Sequence, residues 1–423
     1  MSKFIEVNEF IDIVGGEMDM LGPIEDGDTI YSIVPPGCWG PMITPSIRSG
    51  HEVTRPIRVK GAKVGDAVAL HIKKINLKSK YAASGTGKRF DGRYDVDPTV
   101  NAICPYCNEK NPETIIEGIG EEAIRCSKCK NPVIPQTLSN GYTILFNEDI
   151  GVTVDKTIGN EIALEVARGN DGLPSGSKQH PATILAKTDV VDVITRVKPM
   201  IGNIGCVPSK PLPSSRNCGD MLASLNSTNI FGQILHEDIT DAHMDVNSVC
   251  EGSIVVCPVK VDGGGVFLGD IHSIQGDGEL AMHAIDVTAE VEIEVKLIKE
   301  LELNGPIIIP PLEEINYRFL PFTEREYEKA NKILKPYRQK IEEKLYPVQF
   351  VGSGSNLNLA IDNCVNRISE VTGYDMEEVK NRATISGEVG IGRTSGLVYI
   401  TIMLPEEKLK KIKIYSFIEK IYK

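Results

Sequence analysis

The sequence predicts a mainly β protein with an α+β C-terminal part. Three observations lead there. Short apolar runs bounded by glycine and proline recur from Tyr31 to Pro311, the pattern of strands and turns. From Thr323 the apolar period lengthens to that of helices. Eighteen residues separate Cys104-Pro-Tyr-Cys107 from Cys126-Ser-Lys-Cys129, a spacing suited to a small zinc-held hairpin. On this reading residues 1–98 form an N-terminal β part and 99–135 an inserted zinc ribbon. Residues 136–318 form a β core carrying the site, and 319–423 the α-containing C-terminal part.

The N-terminal part is read as strands at Tyr31–Val34 and Ala67–Ile75, with Pro35-Pro36-Gly37 as a turn and Pro56–Asp66 as a strand followed by a tight turn. Trp39, the sole tryptophan, sits in a glycine-proline loop, as a pocket wall or a packing anchor. Gly85-Thr86-Gly87-Lys88 lacks the phosphate-loop spacing, because Arg89 follows Lys88, and is read as a mobile surface loop. In the ribbon, Thr114–Ile116 and Glu122–Arg125 are the expected hairpin strands, and four cysteines close the zinc tetrahedron with no position left for substrate. A redox dithiol is the alternative reading.

Tyr142–Phe146, Gly151–Val154 and Ile162–Val166 are three further strand candidates. Residues 169–181 form a long loop ending near His180, which either covers a site or tethers two elements. A helical turn is expected at Ile230–Leu235. Cys206 and Cys218 read as small buried hydrophobes rather than nucleophiles. Ala281–Lys299 alternates and is read as one long half-buried strand. Glu324–Lys344 is read as helical, broken or kinked at Pro336. Two more helices flank Gly373, with Asp375 as N-cap of the second. Lys408–Lys423 is read as a basic amphipathic tail, a solvated helix rather than a membrane anchor.

Acids and imidazoles concentrate between Asp241 and Glu290, in His243-Met244-Asp245, Gly269-Asp270-Ile271-His272 and Gln275-Gly276-Asp277-Gly278-Glu279. Between them, Ser253–Pro258 and Val266–Leu268 read as buried strands. In Asp270-x-His272 both side chains share a strand face. A carboxylate and an imidazole so placed, close to a second aspartate, suit a divalent metal or acid–base chemistry. The other reading is a glycine-rich turn region whose acids cap turns.

This stretch resembles the acetamidase/formamidase family. Members carry N-M-D, then S-x-x-x-x-P-V, then G-A-L-F-x-x-G-D-x-H-x-x-Q-G-D-G-E. Ser253–Val259, Gly265-Val266-Phe267 and Gly269–Glu279 follow that order. Asp241-Ala242-His243 stands where the family reads Gly-Gly-Asn. Upstream, His51 takes the position of the family's histidine ahead of Pro56–Asp66. Downstream, Val371-Thr372-Gly373, Ala383–Glu388 and Leu404–Glu407 follow the closing pattern, with Glu388 for aspartate. The resemblance runs from His51 to Leu404 and leaves out the ribbon and Leu222–Thr240.

The resemblance implies an acetamidase/formamidase-like β-sandwich core and a metal-dependent hydrolysis of a small linear amide to ammonia and carboxylate. His51, Asp245, Asp270 and His272 become the expected ligands of an active-site divalent metal, Zn2+ as first choice. Glu279 becomes the expected general base beside Asp245 and His272. His243, Gln275 and Trp39 are placed at the substrate. It also implies a homo-oligomer, a dimer or larger. Two other readings stand: a hydrolase of a larger or cyclic amide, and a non-catalytic assembly protein docking through its ribbon.

Composition narrows the partners. The 423 residues hold 46 basic and 58 acidic side chains, a net charge of -12, which disfavours nucleic acid. No apolar run reaches the ~18 residues of a membrane span. Met1–Asp12 shows no secretory pattern, so the ten cysteines are expected reduced in the cytoplasm.

Overall fold

The computed structural model describes residues 3–37, 51–89, 103–110, 112–120, 122–133, 136–168, 172–179, 187–214, 242–281, 283–354, 356–393 and 396–423. Trp39, His180, Cys218 and the turn expected at Ile230–Leu235 lie outside them.

Two sheets face one another. The larger has nine strands, in the order Phe4–Glu6, Thr29–Val34, Ala289–Ile298, Ala67–Leu77, Ile254–Pro258, Ile307–Ile309, Leu345–Ser353, Leu397–Pro405, Gly387–Arg393. Only its first pair is parallel. The smaller centres on Val266–His272, flanked by Val53–Thr54, Ile57–Val59 and Met200–Cys206. The main core fills the space between, with Leu70, Ile72, Val255, Val291 and Ile293 from one sheet meeting Ile57, Ile204 and Leu268 from the other. Stacked sheets with apolar inner faces make a sandwich. The C-terminal strands extend the same large sheet. Their outer face is covered by Ala360, Cys364 and Ile368 of helix Leu357–Thr372.

Several expectations of local structure are corrected. Ile162–Val166 is not a strand but the second half of helix Lys156–Ala167. Its buried residues, Gly159, Ile162, Ala163 and Val166, recur every three to four positions, and Asp155 caps it by accepting from the N–H groups of Thr157 and Ile158. Gly85–Lys88 is not a loop: Tyr81–Arg89 is a strand paired along Gln136–Asn147, which supplies the backbone partners its own sequence does not advertise. The strand expected from Ala281 begins at Ala289, and the residues before it turn inward. The helix from Glu324 does break at Pro336, as expected: it ends at Leu334, and the backbone at Arg338 is left-handed, φ +58°. The C-terminal tail also differs from a solvated helix. It forms two short helices, Glu406–Lys411 and Tyr415–Tyr422, which bury Leu409 and Ile418 against the large sheet, with Ile412 buried between them.

Candidate active site and metal centre

Strand Val266–His272 is buried along its whole length and carries the site. It pairs with Met200–Cys206 so that Ile271 opposes Ile201 and Gly269 opposes Asn203. Between those pairs Asp270 faces Gly202. Uninterrupted alternation would put Ile271 on the face opposite Leu268, yet both join the main core. The phase changes at Asp270, whose φ is +58°. Asp270 and His272 still meet, Oδ1 to Nε2 at 3.2 Å, but a left-handed residue rather than simple alternation brings them there.

Asp245 at φ +48° and Glu279 at φ +41° share that left-handed geometry. Each such residue costs about 1–3 kcal/mol, which surrounding structure must hold in place. Asp245 is held by its N–H donating to Gly202 O at 3.1 Å and by Gln275 Nε2 donating to its carbonyl at 2.5 Å. Gly202 has no room for a side chain: a Cβ there would stand 2.4 Å from Asp245 Oδ1 and 2.8 Å from Asp270 Oδ2. Gly37 closes the other side, where a Cβ would stand 1.9 Å from Asp270 Oδ1 and 2.7 Å from Asp286 Oδ2.

His51 enters from just before Val53–Thr54. Ser214 clamps its backbone, with Oγ donating to His51 O at 2.5 Å and accepting from His51 N at 3.1 Å. Its Nδ1 lies 3.8 Å from Asp270 Oδ1, and its Nε2 3.2 Å from Asn203 Nδ2. His243 Nε2 lies 3.2 Å from Asp245 Oδ2 and 3.1 Å from Asp270 Oδ2.

Two sets of ligand-type atoms result. His51, His243 and Asp270 form one, Asp245, Asp270 and His272 the other, and within each the atoms lie within 4.8 Å. Asp270 belongs to both. Both oxygens of Asp245, Oδ1 of Asp270 and Nε2 of His272 are buried and take no hydrogen bond. Buried carboxylate and imidazole atoms, ion-paired with one another and converging on glycine-walled space, suit a divalent cation.

The electrostatics separate Glu279 from the aspartates. Burial opposes ionisation of Asp270, but the His51 and His272 imidazoles outweigh it and hold its carboxyl well below the usual range. Burial opposes ionisation of Asp245 too, and the His243 imidazole and Arg393 guanidinium again prevail. Glu279 is pushed up to about 8 by burial, which Arg393 only partly offsets. A carboxyl tuned toward neutrality suits proton transfer.

The structure brings His51, His243, Asp245, Asp270, His272 and Glu279 into one buried cluster. Gln275 braces the cluster: its Oε1 lies 2.9 Å from His272 Nδ1, and its Nε2 donates to Asp245 O and Gly392 O. Glu388 lies apart, accepting from Asn316 Nδ2 at 3.0 Å. Sequence reasoning missed Asn203, Ser214, Asp286 and Arg393. Asp286 Oδ1 stands 3.4 Å from His272 Nε2. The misread start of strand Ala289–Ile298 hid it, since an alternating strand gives no reason to single out one acid.

The four cysteines form a second centre. Cys104 Sγ lies 3.6 Å from Cys129 Sγ, and Cys107 Sγ 3.8 Å from Cys126 Sγ. Sulfurs about 2.3 Å from a tetrahedral zinc stand roughly 3.8 Å from one another. Thr114–Ile116 pairs antiparallel with Ile124–Cys126, the hairpin the spacing predicts. The Asn131 N–H beside Cys129 draws its thiol down to about 6, toward the thiolate a metal needs.

Known proteins share this architecture. An acetamidase from Yersinia enterocolitica superposes with a TM-score of 0.53 at 16% identity, over 97% of this chain and 93% of that one. An acetamidase from Bacillus halodurans gives 0.52 at 16%, over 97% and 99%. In sequence, a formamidase from Methylophilus methylotrophus is 30% identical over 151 residues, 28% of this chain. The match spans 37% of that relative's length. The family signature is far longer than this local likeness: it matches residues 38–237 and 234–407, taking in His51, the Asp270 strand, Glu279 and Arg393, and by it the chain belongs to the Acetamidase/Formamidase family.

Proposed function

We propose that the chain is a metal-dependent amidohydrolase that cleaves the C–N bond of a small linear amide, of formamide or acetamide type, to ammonia and a carboxylate. The observation that carries the reading is the two sets of His/Asp ligand atoms sharing Asp270, with Glu279 held outside both, in a chain of this family. Amide resonance makes the carbonyl a poor electrophile and the nitrogen a poor leaving group. When bound, a divalent cation, for which we propose zinc, supplies Lewis acidity toward the carbonyl and toward water. His51, Asp245, Asp270 and His272 would hold it, and His243 stands among them. Glu279 takes a proton from the attacking water and returns it to the departing amine. Gln275 and Asn203 orient His272 and His51.

Ammonia release from a panel of amides by zinc-replete protein tests the reading. Formamide or acetamide should turn over. Turnover confined to larger or cyclic amides would move the substrate class, and no release from any member would overturn the hydrolytic assignment.

We further propose a structural zinc on Cys104, Cys107, Cys126 and Cys129, and a homo-oligomer in the cytoplasm. The eight cysteines among the described residues are all free thiols, which suits a reducing compartment. Light scattering should give a dimer or larger, and a single-chain mass would reject the oligomer.

A further inference from the structure

One site contact comes from the far edge of the molecule. Strand Gly387–Arg393 is the last of the nine-stranded sheet, yet its final residue ends inside the acid cluster. Arg393 is 2% exposed. Its Nε lies 2.9 Å from Glu279 Oε2, and its Nη1 lies 3.3 Å from Asp245 Oδ2 and 3.2 Å from His243 Nε2. A guanidinium is permanently charged and presents more than one edge, so it can ion-pair with two carboxylates at once.

The backbone is built to deliver this side chain. Gly278 N donates to Ile391 O at 3.1 Å, and Gly278 bridges Arg393 as a parallel partner. Gly392 O accepts from Gln275 Nε2 at 3.2 Å. The approach at Gly392 is too close for a side chain, since a Cβ would stand 2.6 Å from Met244 O. The end of this strand is thus fastened to the turn carrying Glu279 and to the segment carrying Asp245.

Asp245 lies in a ligand set and Glu279 does not. Among carboxylates this crowded, a flexible glutamate would be expected to swing onto a bound cation. We propose that Arg393 is a positioning residue that prevents this: it ties Glu279 on its Nε edge and Asp245 on its Nη1 edge, and keeps the proton-transferring carboxylate apart from the ligating ones. The proposal rests on the hydrolytic reading above for what Glu279 does, but not for where Arg393 holds it.

The test compares wild type, Arg393→Lys and Arg393→Ala, each zinc-replete. Crystal structures read the position of Glu279 directly. In wild type it should remain on Arg393 Nε, and in Arg393→Ala it should move by about 1 Å or more, a displacement large enough to cost ~10²-fold in rate. Ammonia release gives the second readout: kcat should fall by about that factor with KM and site zinc little changed, Arg393→Lys should not restore it, and added methylguanidinium should partly rescue Arg393→Ala. An unmoved Glu279 in Arg393→Ala, or a folded Arg393→Ala with full kcat, would overturn the proposal. If wild type releases no ammonia, the hydrolytic reading falls while the position of Glu279 still decides the role of Arg393.

Discussion

Glu279 and Gly202 make opposite demands on the site, and each can be tested singly. Glu279→Gln keeps the side chain's size and its reach to Arg393 but removes the proton acceptor. It should retain site metal and lower kcat by roughly 10²–10⁴-fold, as removing a general acid–base does; metal analysis with steady-state rates of ammonia release reads both. Gly202→Ala adds one methyl 2.4 Å from Asp245 Oδ1 in a fully buried strand. The Asp245 carboxylate must shift, so on the proposed mechanism site-metal occupancy and rate should fall together, while the zinc proposed on the four cysteines should be unaffected. Much of the residue-level clustering was legible, because Gly269–Glu279 places Asp270, His272, Gln275 and Glu279 within one short stretch. Asn203, Ser214 and Arg393 were not, because each reaches the site from a separate element and its local sequence reads as ordinary strand or loop. Nothing in Ile391-Gly392-Arg393 says that the arginine is buried; only the sheet order does.

At the scale of elements, the ribbon shows what spacing can and cannot foresee. Two Cys-x-x-Cys pairs foretold the hairpin and the convergence of four sulfurs. They did not foretell what the module leans on. Ile124 and Val133 pack with Ile162, Ala163 and Val166 of helix Lys156–Ala167 and with Ala83. That helix was misread as a strand because Ile162–Val166 is a short apolar run, for which strand and helix patterns overlap. The Asp155 cap and the three-to-four spacing were the available signal. Cys104→Ser combined with Cys126→Ser should remove about one zinc per chain, the complement of a four-thiolate site. It should also loosen Lys156–Ala167, seen as faster amide exchange in that helix, and leave the Asp270 centre loaded. Retention of all zinc in a variant lacking the four thiols would reject the site.

For the whole molecule, the large sheet joins the N-terminal, central and C-terminal parts, so its stability reports on all of them. His71 lies opposite Glu294 in this sheet, Nδ1 to Oε2 at 3.5 Å. Burial, reinforced by Lys420 and Lys73, lowers the imidazole from 6.5 to about 4, against the pull of Glu294. The folded state therefore resists a proton that the unfolded chain accepts near 6.5. Stability tied to His71 is full above that pH and is lost as pH falls from 6.5 toward 4, with a slope of at most about 1.4 kcal/mol per pH unit. Urea midpoints at pH 7, 5.5 and 4.5 should fall less steeply for His71→Gln than for wild type. Equal slopes would remove His71 as the cause. The mainly β architecture with an α+β end was readable from the change in apolar period near Thr323. That the last strands extend the first sheet was not, because pairing between distant strands leaves no mark in either one.

The proposed binding of a catalytic cation by His51, Asp245, Asp270 and His272 is tested most directly at the residue shared by both sets of ligand-type atoms. Asp270→Asn keeps the side chain's shape and tolerates the left-handed backbone at φ +58°, so the fold should survive. Site-metal content and ammonia release, measured together on that variant after circular dichroism shows it folded, should both fall sharply while the zinc of the four-cysteine ribbon remains. A folded Asp270→Asn that keeps its site metal and its full rate would contradict the assignment.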